Sequence, residues 1–392
     1  MKRFSIILLT LLMVAMTVHT NAKTINEDDV EITPQLEKAL LKYDYAFSFS
    51  EGLAPVSKND KWGYVNTNGE LVIPLKFIYA GNFSEGLARF YDDSGSGFIN
   101  TRGDIVFRFD YWWVCPFING IALASDDYDG HYGFINKSGK VVIPFIYSYA
   151  EDFSEGLAVV STEGFDDGKR GFINTKGEVV LPLIYDSAKS FKEGLAPVKK
   201  NGKWGFINKK GEQVIPFIYE EADSFREGLA HVNKNGKYGF INPRGETVIP
   251  FIFDLPESII NYLSCSFNEG FAIASHNGRD CFVNKNGEII NLPNSSYNYI
   301  GAIQEGMALA SIRTNDNDEL WGFINTKGEV VVPFKYHAEN ANGSDYIYYY
   351  NNGFGRLLDK RTGKLLIFNK KGEQVKPTPS HSRKKSSKKK RR

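Results

Sequence analysis

One phrase recurs along the 392 residues and restricts the fold more than any other feature of the chain. Its clearest copy runs Phe191-Lys192-Glu193-Gly194-Leu195-Ala196, then Trp204-Gly205-Phe206-Ile207-Asn208, then Gly211-Glu212, then Val214-Ile215-Pro216-Phe217. Its most regular mark is an Asn followed three residues later by Gly, which occurs nine times from Asn66/Gly69 to Asn369/Gly372. Successive Asn residues lie 34, 36, 38, 34, 34, 42, 41 and 44 apart, so the core period is 34 and the later copies carry insertions. A unit this small cannot bury its own apolar face and must stack on a neighbour. A catalytic site in such a chain would have to stand out as a departure from the repeat.

Each unit reads as short strands divided by tight turns. Asn201-Gly202 and Asn235-Gly236 are the preferred pair for a two-residue hairpin needing positive φ. The Asn-x-x-Gly element reads as a second turn, its Asn side chain bonding the backbone two residues on. Strands are predicted at residues 195–199, 204–208 and 212–218. Val214 and Ile215 are adjacent and point to opposite faces, which predicts that both faces are covered by neighbouring units. Pro216, with no N–H to donate, ends the ladder or marks an edge. The fold class is all-β, a tandem array of about nine hairpin or three-stranded units. An open, solenoid-like array is favoured over a closed propeller, whose blades typically take about 40–45 residues. Thr33-Pro34 followed by residues 35–42 reads as a short helix, with Leu36, Ala39 and Leu40 on one face as a lid on the first unit.

The repeated residues resemble the WG repeat family of bacterial proteins, named for a Trp-Gly pair. That pair is literal at Trp62-Gly63, Trp204-Gly205 and Trp321-Gly322. It becomes Tyr-Gly at Tyr132-Gly133 and Tyr238-Gly239, erodes at Ser96-Gly97 and Arg170-Gly171, and loses its Gly to Cys281 and Leu366. The resemblance covers residues 43–377 and implies no catalytic residues and no cofactor.

The two ends differ from this body. Lys2 and Arg3 precede an apolar run, and Thr20-Asn21-Ala22 supplies small residues for cleavage, so residues 1–22 read as a signal peptide. The alternative is a retained anchor, for which the run is short. Residues 23–42 then form an N-terminal cap segment, and after cleavage no apolar stretch is long enough to span a bilayer. The protein is expected in the periplasm, at the cell surface or outside the cell. At the other end, residues 378–392 read as a disordered tail carrying Arg383, Lys384, Lys385, Lys388, Lys389, Lys390, Arg391 and Arg392. The whole chain is +1, so setting aside these eight charges and those of Lys2 and Arg3 leaves −9 on the remainder. Such a tail suits an anionic surface, whether phospholipid, lipopolysaccharide, a cell-wall polymer or nucleic acid, or else is a solubilising end. No specific nucleic-acid binding is predicted.

The residues that could carry chemistry are mostly absorbed by the pattern. The His residues have no metal-ligand spacing, and no metal or cofactor site is predicted. Glu51, Glu85, Glu155, Glu193, Glu227, Glu269 and Glu305 fill one slot of the repeat and read as carboxylates accepting backbone N–H bonds at a recurring turn. The acidic inserts at residues 126–130, 166–168 and 315–319 read as polar hairpin tips, with calcium ligation as the alternative. Cys265 and Cys281 share one unit and are either bridged or buried free thiols. Two aromatic clusters break the pattern: Tyr111, Trp112 and Trp113, and Tyr346, Tyr348, Tyr349 and Tyr350. They are the candidate partner-binding residues if exposed, and otherwise locally rearranged strands. The sequence thus predicts an exported, non-catalytic binding or scaffold protein with protein partners. The alternative is a glycan or cell-wall binding module tethered by its tail.

Overall fold

The computed structural model describes residues 30, 34–40, 42–127, 130–164, 168–256, 265–294, 297–314, 318–337, 350–351, 354–359 and 364–375. The signal-peptide and basic-tail readings fall outside these residues. The described residues form an open tandem array of nine antiparallel sheets, numbered here in chain order. Sheet 5 shows the plan. Its strands are Ser187–Ala188, Leu195–Lys200, Lys203–Asn208 and Gln213–Tyr219, each hydrogen-bonded to the next. The three predicted strands are present. A two-residue first strand is added, because the segment before the turn runs back along Val198 and Lys199. Seven sheets have these four strands, while sheets 7 and 9 have three among the described residues. In sheet 7 a bridge from Asp254 to Ser275 stands where the first strand would be.

The turns follow from their residues. Asn201 and Gly202 take φ of 51° and 78°, the pair of positive angles that a tight hairpin needs. Asn208 Oδ1 accepts the N–H groups of Lys210 (3.0 Å) and Glu212 (3.1 Å), and Asn208 Nδ2 donates to Glu212 Oε2 at 2.7 Å. That closed loop of bonds explains why Asn, Gly and an acid recur together.

The fourth strand departs from the sequence expectation. Ile207 lies opposite Gln213, Phe206 opposite Ile215, and Trp204 opposite Tyr219. Val214 is therefore an extra residue in a bulge, and residues 216–218 form a second irregularity that accommodates Pro216. The bulge turns Val214 outward at the sheet edge, where it is 41% exposed, while Ile215 is 1% exposed. One face of this strand is thus covered and the other is open, contrary to the double burial predicted from their adjacency. The bulge also carries the Ile215 carbonyl over Gly205, where a Cβ would lie 2.7 Å from that oxygen. This close approach is the physical reason for the Gly of the Trp-Gly pair. Where Cys281 replaces that Gly, the last strand is short and pairs without a register shift.

Packing is one-dimensional. Among the described residues, each of nine apolar clusters is shared by consecutive units, from the helix and sheet 1 to sheets 8 and 9, and none joins sheet 1 to sheet 9. Between sheets 5 and 6, for example, Leu195, Phe206 and Ile215 meet Phe225, Ala230 and Ile241. The helix α1 (Pro34–Leu40) buries Leu36 and Leu40 against Phe49, Val56 and Val65 of sheet 1. A Cβ on Gly69 would lie 2.3 Å from Ala39 of this helix, just as one on Gly211 would lie 3.0 Å from Leu181 of the preceding sheet. The helix therefore stands where a preceding sheet would otherwise be. All three cysteines are free and buried, so Cys265 and Cys281 are not bridged.

Candidate interaction surfaces

Two surfaces follow from this plan: the seam where turns of successive sheets meet, and the row of outer edges formed by the fourth strands. The seam is a polar ladder. The carboxylates of Glu51, Glu85, Glu155, Glu193, Glu227 and Glu269 accept the N–H of Gly86, Gly120, Gly194, Gly228, Gly270 and Gly306 at 2.7–3.2 Å. Each bond runs to the turn of the next sheet rather than within its own, so the repeated acid links neighbours. Lysines reinforce alternate seams. Lys137, Lys209, Lys285 and Lys370 meet Glu85, Glu155, Glu227 and Glu305 at 3.0–3.4 Å, each across from an odd-numbered sheet to the even-numbered sheet before it. The same position holds Thr101, Thr175, Pro243 and Thr326 in the even-numbered sheets.

In the middle of the array the seam is strongly charged. The thiol of Cys115 donates to Asp152 at 3.3 Å. Burial pushes the Asp152 carboxyl up to about 6, against the pull of the Cys115 bond, and pushes the Cys115 thiol well above its ordinary value. Glu151 accepts from the N–H and hydroxyl of Ser190 and from the Tyr149 hydroxyl. Lys189 pairs with Asp223, and His231 Nδ1 stands 3.8 Å from the same carboxylate. Burial alone would raise Asp223, but the His231 and Lys189 contacts outweigh it and bring it down to about 2. Among the described residues no group of three or more His, Cys, Asp or Glu is arranged to hold a metal ion.

The outer edges have the opposite chemistry. Fifteen large hydrophobic side chains are exposed among the described residues, and every one lies on a fourth strand. They include Val141, Val142 and Ile146 of sheet 3, Val179, Val180 and Ile184 of sheet 4, and Val214 and Ile218 of sheet 5. Among the described residues each fourth strand is hydrogen-bonded to the third strand alone, which leaves its other side as an edge. The Pro and the bulges in these strands disfavour edge-to-edge pairing with another sheet.

The predicted aromatic residues are placed differently. Trp113 is buried in a first strand, packed in the cluster between sheets 3 and 4, so it is not part of an exposed platform. The reason is register: Trp113 pairs with Ser125, as Tyr149 does with Ser161 in the next sheet. Tyr111 is half-buried, stacked on Phe109 and tilted against Phe145, and Trp112 is half-buried against the same cluster as Trp113. Tyr350 lies in the short strand Tyr350–Asn351, while Tyr346, Tyr348 and Tyr349 lie outside the described residues, as do residues 383–392 and the tips of the three acidic inserts. Asp126 accepts the N–H of His131 at 2.7 Å, the bonding of a hairpin tip. The exposed aliphatic row was missed because its signal, recurrent Val-Val-Ile-Pro, reads as buried strand. Among the described residues, no helix is long and apolar enough to cross a membrane.

A model of the WG containing repeat matches residues 40–62, 62–94, 132–164, 171–204, 204–238, 238–255 and 321–340. Among curated proteins no sequence matches. Solved structures with some likeness include the tricorn protease, at 13% identity over 85% of this chain and 39% of that one, with a TM-score of 0.24. This chain therefore spans well under half of that protein's length. Another is the dihydro-heme d1 dehydrogenase NirN, at 11% identity over 71% of this chain and 72% of that one, with a TM-score of 0.38. A third is Kluyveromyces lactis Hsv2, at 7% identity over 84% and 96% of the two chains, with a TM-score of 0.33. Scores this low carry no argument about fold or activity.

Proposed function

Because this chain belongs to the WG-containing repeat proteins, we propose that it is a non-catalytic binding or scaffold protein, exported to the cell envelope, that holds protein partners against its outer edges. A stacked β-repeat is suited in general to binding, because it presents a long surface on a rigid frame. The observation that carries the finer reading is the confinement of all fifteen exposed large hydrophobics to the fourth strands. Scattered apolar residues on a surface need no explanation, but a periodic row of them is what an interaction surface requires. Its chemistry is aliphatic, which suits protein side chains. Glycans instead favour exposed flat rings, and Trp113 is buried. The recurring Glu residues, the most abundant candidate acids, are engaged by backbone N–H groups, which supports a structural rather than a catalytic role for them. Export rests on the N-terminal residues, and the basic tail would hold the protein near an anionic polymer or lipid.

The test is to incubate the full chain and a Val141→Lys/Val142→Lys/Val179→Lys/Val180→Lys variant with envelope extract and to identify what each retains. A defined protein held by the wild type and lost by the variant supports the reading. Polysaccharide retained equally by both would replace it with the glycan reading.

A further inference from the structure

The hairpins that join the second and third strands of each sheet form a row of their own. Contacts between sheets show that consecutive hairpins are neighbours. Lys169 of sheet 4 pairs with Asp186, which accepts the N–H of Gly202 in sheet 5 at 3.0 Å. Lys203 of sheet 5 pairs at 2.7 Å with Glu220, which accepts the N–H of Asn235 in sheet 6 at 3.1 Å. Lys237 of sheet 6 pairs in turn with Asp254 at 2.6 Å.

The charge that these pairs leave over changes sign halfway along the row. In sheets 2, 3 and 4 the exposed residues at the hairpins include Asp93, then Asp126 and Asp127, then Glu163. Asp92 is matched by Arg108, and Asp126 also accepts the N–H of His131. In sheets 5, 6 and 7 they include Lys200, Lys234 and Arg279, beside the turns Asn201-Gly202, Asn235-Gly236 and Asn277-Gly278, which hold no acid. None of these three cations forms an ion pair among the described residues, because Asp186, Glu220 and Asp254 are taken by Lys169, Lys203 and Lys237. Lys200 instead lies opposite Lys203 across its hairpin, and Lys234 opposite Lys237. Like charges at facing positions are destabilising. In sheet 1, by contrast, the facing Lys58 and Lys61 bracket Asp60.

Three acidic hairpins followed by three basic ones make the row complementary to itself. A second copy, turned about a twofold axis between sheets 4 and 5, sets sheet 4 against sheet 5, sheet 3 against sheet 6 and sheet 2 against sheet 7. Every match is then acid against base: Glu163 with Lys200, Asp126 and Asp127 with Lys234, and Asp93 with Arg279. Twofold symmetry makes each match twice. The whole chain carries only +1, so no large net charge opposes the approach of two copies.

We propose that this row is a self-recognition surface, on which a second copy of the chain docks antiparallel and joins acidic hairpins to basic ones. The surface differs from the outer edges, and its test uses the purified chain alone, so its failure and that of the edge reading are separable. The mass of the full chain is measured by sedimentation equilibrium at about 0.01 M and about 0.15 M salt, where charges are screened over about 30 Å and about 8 Å. The wild type should be dimeric at low salt, and its association should weaken by about tenfold or more at the higher. Two double variants keep the net charge of +1 and rearrange it. Asp93→Lys/Lys200→Glu turns two of the three matches from attraction to repulsion. Glu163→Lys/Lys200→Glu reverses both partners of one match and leaves all three attractive. An exposed ion pair is worth up to about fivefold in an equilibrium constant. The first variant should therefore associate about tenfold or more weakly than the wild type, and the second within about threefold of it. All the substituted residues are exposed, and unfolding curves verify that both variants fold. A monomeric wild type at low salt overturns the proposal, and poly-glutamate binding by that monomer would give the basic hairpins an acidic partner instead. Equal association of the two variants also overturns it, since contact through the apolar edges or the Lys/Arg-rich end is indifferent to how these charges are arranged. Association unchanged by salt does the same.

Discussion

Val214 and Ile215 are neighbours on one strand yet belong to different surfaces. Ile215 lies in the seam between sheets 5 and 6, packed with Phe206, Phe225 and Ile241. Val214 lies on the outer edge in water. The seam is continuous in its apolar clusters, and Glu–Gly rungs at most of its joins and Lys–Glu contacts at alternate ones add to them. The outer edge is a series of separate strands, all bulged and, except in sheet 2, Pro-bearing. The seam residues are therefore constrained by the stacking itself, while the edge residues are free to serve something else. Stability resides in the seam, and the edge is the part of each unit that stacking leaves open.

The largest expected effect separates these two neighbours directly. Ile215→Ala should destabilise the array by about 2–5 kcal/mol, the range for opening a cavity in a packed core. Val214→Ala should stay within about 0.5 kcal/mol, as for other surface changes. Urea unfolding of both variants measures the difference. Similar losses would mean that Val214 is covered and that the edge is not an open surface.

A second effect concerns the turn of the main chain that makes the edge. Gly205→Ala puts a methyl against the Ile215 carbonyl and should cost about 1–3 kcal/mol, as overpacking does. Gly202→Ala meets nothing within 4 Å and should cost only what its φ of 78° imposes. That is about 1 kcal/mol. Equal losses would show that the bulge yields to the added methyl.

The repeat, the strands, the tight turns and the short helix were all legible in the sequence, because each depends on local chemistry: Asn-Gly turns, Asn-x-x-Gly loops, and Leu36 and Leu40 on one helical face. The Glu slot was legible as a turn acceptor, but not as a link to the next sheet. Its bond to Gly228 from Glu193 spans 35 residues, and spacing alone does not reveal which turns will stack. The edge was illegible for a related reason. Alternation distinguishes the two faces of a regular strand, and a bulge changes which residue faces out. Trp113 was ambiguous because a two-residue first strand is too short to leave a periodic mark.

Within the seam, Asp152 and Asp223 provide a contrast of sign. Asp223, brought down to about 2, contributes stability that is present above about pH 4 and lost as pH falls toward its folded value. Asp152, pushed up to about 6, holds its proton more tightly in the folded protein, so stability is lost as pH rises from about 4 through 6. Asp152→Asn should therefore flatten the decline between these values, and Asp223→Asn should flatten the rise below pH 4. Urea midpoints across this range check both. An unchanged profile in Asp152→Asn would mean that its carboxyl titrates in the folded protein as it does in water.

The smallest effect tests whether all seams are alike. Glu85 accepts from the N–H groups of Asn119 and Gly120 and also meets Lys137, whereas Glu193 accepts the N–H of Gly228 with no lysine in ion-pair reach among the described residues. Removing either carboxylate leaves a turn N–H to water, which is accessible at these exposed turns. Glu85→Gln also loses the Lys137 contact, and partly exposed ion pairs contribute at most about 1 kcal/mol. The two substitutions should thus differ by less than about 1 kcal/mol, with Glu85→Gln the more harmful. The decisive reading is salt. Screening weakens an ion pair far more than a bond between neutral groups, so the gap between the variants should narrow as salt is raised. A gap that persists at high salt would place the difference in the two backbone bonds of Glu85, and the alternation of lysines along the array would then have no energetic role.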